Sequence, residues 1–108
     1  MNDKELFEKL SYSPKHVNEI LTPELSASIH DYCELYKDFL THAKTEREAC
    51  ALAEKTAREN GFVPLAEKNE LKAGDKVYSV NSKKGIMLAV IGSDDIENGV
   101  KLVGAHID

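Results

Sequence analysis

The chain has 108 residues, a length typical of one domain, and its hydrophobic fraction of 42% and charged fraction of 31% are ordinary for a folded chain. Its 14 Lys+Arg and 19 Asp+Glu give a formal net charge of −5. This acidic balance argues against a nucleic-acid partner, because phosphate contacts need basic residues gathered on one face. No signal peptide and no apolar run near the roughly 20 residues that cross a bilayer are present, so we expect a cytoplasmic protein with no membrane partner.

Apolar spacing predicts helices in the first half of the chain. Leu6, Phe7 and Leu10 form a short apolar stripe, and a second short helix is expected over residues 14–21, with His16 exposed. A longer amphipathic helix is expected from Pro23 to about His42, because Thr22 can cap it and Pro23 suits its first position. Its buried face is expected to contain Leu25, Ile29, Tyr32, Cys33, Tyr36, Phe39, Leu40 and Ala43.

The next helix is predicted by its own terminal signals. Thr45 and Glu48 form a capping box at its start, and Asn60-Gly61 closes it. Small residues on one side of this helix allow a neighbouring element to pack closely. Cys33 and Cys50 match no zinc or redox spacing, so we expect both to be small buried hydrophobic residues.

The second half is expected to form strands. Residues 76–81 and 86–92 favour a β-hairpin with its turn at residues 82–85, and residues 100–108 favour a third strand. Asp94, Asp95 and Glu97 lie in the polar loop between them. Lys83 and Lys84 could form an anion site, but lysines in a hairpin turn more often serve solvation and protection against edge pairing.

His106 and Asp108 are the residues that could carry chemistry. In a strand, residues two apart point to the same face, so both side chains would project from the carboxyl end of a buried strand. A neutral imidazole is a good zinc ligand, and a nearby carboxylate can orient it. The pair alone is also compatible with a strand end whose His and Asp are solvated, and the motif by itself favours this second interpretation.

The stretch from Asn60 to Asp108 resembles the N-terminal part of the aminopeptidase I family of zinc metallopeptidases. The matching blocks, in the family's order and spacing, are Asn60-Gly61-Phe62, Pro64-Leu65, Leu71-Lys72-Ala73-Gly74-Asp75-Lys76-Val77-Tyr78, Asn81-Ser82-Lys83-Lys84, Ala89-Val90-Ile91-Gly92 and Val103-Gly104-Ala105-His106-Ile107-Asp108. The helical first half is compatible with the family's opening but is less specific.

The resemblance implies an α/β fold, mixed α+β within this chain, in which N-terminal helices precede the first strands of a zinc-peptidase sheet. It implies two zinc ions in the complete enzyme, with His106 as a ligand of one of them and Asp108 as the catalytic-site residue that orients His106. It also implies peptide substrates, removal of single N-terminal residues and assembly into homo-oligomers. The other metal ligands of the family come from later in the chain.

We therefore interpret residues 1–108 as a single partial domain, with a helical part over 1–60 and a hairpin plus the first metal-ligand strand over 61–108. The chain stops inside a predicted strand, so we expect the natural reading frame to be longer and this fragment alone to be inactive. The alternative is a non-catalytic α+β module, derived from such a peptidase, that binds a protein partner. A fragment should self-associate through its apolar strand edges, whereas a module should be a monomer or a defined oligomer.

Overall fold

The computed structural model describes residues 2–107, and it contains three helices followed by a three-stranded mixed sheet. The helices are α1 (Asp3–Leu10), α2 (Pro23–His42) and α3 (Glu46–Glu59), and the strands are β1 (Val63–Pro64), β2 (Lys76–Asn81) and β3 (Gly85–Val90). The sheet order is β1-β2-β3, with β1 parallel to β2 and β2 antiparallel to β3. This arrangement confirms the predicted fold class of helices before the first strands of a sheet.

The chain divides into two compact units, Met1–Glu34 and Leu35–Asp108. The assignment of the whole chain to one partial domain therefore stays a prediction. Within the described range of residues 2–107, no helix combines the length and the apolar character needed to cross a membrane.

The first unit begins with α1, which has a capping box of its own. The Asn2 side chain accepts from the Glu5 N–H, and the Glu5 carboxylate accepts from the Asn2 N–H, each at 2.9 Å. The second short helix predicted over residues 14–21 is wrong in extent, since only a single 3₁₀ turn forms, at Val17–Glu19. So short a segment makes too few hydrogen bonds to offset the cost of helix nucleation.

Helix α2 forms over the predicted residues, and the Thr22 hydroxyl accepts from the Leu25 N–H at 3.1 Å. The predicted burial of its apolar face is wrong, because none of the residues of α2 is buried, and Tyr32 is 71% exposed. Cys33 is exposed as well, whereas Cys50 is buried as predicted. Spacing and caps decide whether a helix forms, but burial also requires a covering surface that the described residues do not supply.

Both ends of α3 form as the sequence predicts. The Thr45 hydroxyl accepts from the Glu48 N–H at 3.2 Å, and the Glu48 carboxylate accepts from the Thr45 N–H at 3.0 Å. Asn60 ends the helix, and Gly61 follows with a φ of 83°, a backbone conformation that glycine adopts without steric cost.

Strands β2 and β3 form the predicted hairpin, with Tyr78 opposite Leu88 and Asn81 opposite Gly85. Its turn places Ser82 at a φ of 51° and Lys83 at a φ of 59°. Left-handed conformations at consecutive turn residues match the right-handed twist of the two strands. This turn therefore sets the register of the hairpin.

The core lies between α3 and the hairpin. Its buried residues are Ala49, Cys50, Ala57, Val77 and Tyr78. The small side chains of α3 allow a close approach, so that the Cys50 Sγ donates a hydrogen bond to the Gly85 carbonyl at 3.5 Å. The packing of α3 on the hairpin is thus the only fully buried apolar contact region among residues 2–107.

The third strand, predicted over residues 100–108, is not found in the described part of that segment. Residues 100–107 have no regular secondary structure, and Leu102 and Val103 are 86% and 95% exposed. An apolar segment becomes a strand only when a neighbouring strand supplies hydrogen-bond partners, and no strand within residues 2–107 pairs with it. Asp108 lies outside the described residues.

The α3 cap gives a direct test of this local reasoning. Thr45→Ala removes the acceptor for the Glu48 N–H, so we expect the free energy of unfolding to fall by about 1 kcal/mol. Thr56→Ala is the matched control, because the Thr56 hydroxyl only donates back to the Leu52 carbonyl within the same helix. Urea unfolding followed by circular dichroism compares the two. Equal losses in both variants would contradict a specific role for the cap.

Candidate metal centre

His106, the predicted metal ligand, lies on the irregular segment that follows the 3₁₀ turn Ile96–Asn98, and its side chain is exposed. It lines a cleft of about 750 Å³ that is bounded by the first half of α3, the hairpin turn and residues 105–107. The lining residues are Phe39, Glu46, Ala49, Ala53, Lys84, Gly85, Ile86, Ala105, His106 and Ile107.

The cleft has an apolar floor and a charged rim. Ala49, Ala53 and Ile86 contribute apolar surface, while the Lys84 Nζ lies 3.8 Å from the Glu46 Oε1. This ion pair joins the hairpin turn to the start of α3. Because Lys84 already faces a carboxylate, the arrangement does not resemble an anion site.

The residues present do not make up a metal site by themselves. A catalytic zinc site needs three protein ligands, and no group of three or more His, Cys, Asp and Glu side chains within residues 2–107 is placed to hold a metal ion. Glu46 is the carboxylate that lines the same cleft as His106. The predicted juxtaposition of His106 with Asp108 falls outside the described residues and stays a prediction. The carboxylates of the polar loop, Asp94, Asp95 and Glu97, are exposed, as expected.

A cluster of titratable residues with shifted pKa values lies elsewhere, at the contact of α3 with β2. The Tyr78 hydroxyl and the Arg58 guanidinium both donate to the Glu54 Oε1, at 2.9 and 3.0 Å. The Arg58 guanidinium also lies 5.5 Å from the centroid of the Tyr78 ring, within the range of a cation–π contact. These contacts fix the helix against the central strand.

The pKa values of Glu54 and Tyr78 change in opposite directions in this cluster. The hydrogen bond from Arg58, followed by that from Tyr78, lowers the pKa of Glu54 below its usual 4.5. Burial, followed by the bond to Glu54, raises the pKa of Tyr78 above its usual 10.0. Sequence reasoning missed this cluster. The spacing of Glu54 and Arg58 does predict their pairing on one helix face. The sequence does not indicate that Tyr78, which lies 24 residues after Glu54, donates a hydrogen bond to the same carboxylate.

Comparison with known proteins places this helix-and-hairpin unit among metallopeptidases. A family model described as "Aminopeptidase I zinc metalloprotease (M18)" matches residues 39–108. That range includes α3, the sheet and both predicted site residues. The chain belongs to the aminopeptidase I zinc metalloprotease (M18) family.

The relatives are bacterial proteins named as probable M18 family aminopeptidase 1. The one from Borrelia garinii subsp. bavariensis is 38% identical over 88 residues, which cover 82% of this chain and 19% of the relative. The one from Clostridium acetobutylicum is 42% identical over 77 residues, which cover 68% of this chain and 17% of the relative. This chain therefore spans about a fifth of the length of the curated relatives that it matches.

Two solved structures have a similar fold. Aminopeptidase I from Borrelia burgdorferi aligns with a TM-score of 0.74 at 35% identity, over 79% of this chain and 21% of that one. An M18 family aminopeptidase from Thermotoga maritima aligns with a TM-score of 0.76 at 33% identity, over 91% of this chain and 21% of that one. The resemblance stated from the sequence is thereby confirmed at the level of family and fold.

The Glu54 cluster makes stability depend on pH in a defined direction. Folding lowers the pKa of the Glu54 carboxyl below its usual 4.5. The carboxylate therefore stabilises the fold fully above pH 4.5, and this stabilisation is lost as the pH falls through the pKa of Glu54 in the folded protein. We expect Glu54→Gln to be less stable than the parent protein at pH 7, and the gap to close in acid.

Thermal unfolding at a series of pH values measures this gap. Glu59→Gln is the matched control, since this exposed carboxylate of the same helix lies 3.9 Å from the Lys55 Nζ and should contribute little at pH 7. A stability gap for Glu54→Gln that stays constant from pH 7 into acid would show that its charge has no such role.

Proposed function

We propose that this chain forms the N-terminal part of a zinc-dependent aminopeptidase that removes single residues from peptide N-termini through a dinuclear metal site. The observation that carries the proposal is the match of the M18 family over residues 39–108. A family described as zinc metalloproteases supports zinc as the metal and peptides as the substrates. The proposal also includes two bound zinc ions and the assembly of the complete enzyme into homo-oligomers.

Within this proposal, His106 is a ligand of one metal ion in the complete enzyme. A neutral imidazole is a common zinc ligand, and the exposed His106 side chain lines the cleft beside α3 and the hairpin turn. Asp108 orients the His106 ring by accepting a hydrogen bond from the ring nitrogen that does not bind the metal, and this bond also selects the tautomer of His106. Bound zinc would supply a Lewis acid for the scissile carbonyl and for water, and His106 would be one of the residues that hold it.

The described residues do not supply the remaining ligands, so we propose that the 108-residue chain has no peptidase activity by itself. One imidazole and a nearby carboxylate fall short of the three ligands that a catalytic zinc site requires. The unit formed by α3 and the hairpin would then act as the support for the first ligand segment.

A chimera tests the role of His106. This chain replaces the matched segment of the Thermotoga maritima relative, and the rates of aminopeptide hydrolysis and the zinc content are measured for the purified protein. We expect an active chimera that loses activity by a factor of about 100 or more, together with bound zinc, in His106→Ala, because a ligand is removed. Asp108→Asn should lose about 10- to 100-fold, since it only affects how the ligand is oriented.

His30→Ala is the matched control, because His30 is an exposed histidine on α2, far from residue 106 in sequence. It should leave both activity and zinc content unchanged. Activity and zinc that survive His106→Ala would overturn the assignment. A folded chimera without zinc or activity would favour the alternative, a non-catalytic α+β module.

A further inference from the structure

We draw no further inference here: the strongest candidate, the exposed apolar face of α2 that contains Leu25, Ile29 and Tyr32, is a helix face for which nothing in the described residues 2–107 shows what covers it.

Discussion

The close packing of α3 on the β2–β3 hairpin is the contact on which the rest of the second unit depends. Small residues on α3 allow Cys50 to reach the Gly85 carbonyl, and the Tyr78 hydroxyl reaches Glu54 from the central strand. A larger residue at Ala49 or Ala57, both buried, would separate the two elements and weaken both bonds. The same packing forms the walls of the cleft that His106 lines. The candidate ligand His106 and helix α3 thus line the same cleft.

The parts of the fold that depend on local interactions could be predicted from the sequence. The Thr45–Glu48 capping box and the hairpin turn involve residues a few positions apart, so their chemistry is visible in the sequence itself. Burial was predicted less well, because it depends on a covering surface. The apolar side chains of α2 have the expected helical spacing and remain exposed. Residues 100–107 have the composition of a strand, but no described strand pairs with them.

The candidate site was found from residue type and family resemblance. A zinc site takes ligands from several segments, and spacing along one strand cannot show which of them meet in space. The structure places His106 at a cleft with Glu46, and no group of three metal-binding side chains within residues 2–107 accompanies it. The M18 family match over residues 39–108 assigns this segment to the aminopeptidase I zinc metalloproteases, which the packing of the segment alone could not do.

An aminopeptidase assay of the 108-residue chain with added zinc or cobalt tests the central claim most directly. The claim is that this chain provides a folded support and one metal ligand, which do not amount to a catalytic centre. The account predicts no turnover of aminoacyl or peptide substrates above that of the metal ion alone, although circular dichroism shows a folded protein. Metal-dependent turnover that disappears in His106→Ala would contradict it, because a complete site would then exist within these 108 residues.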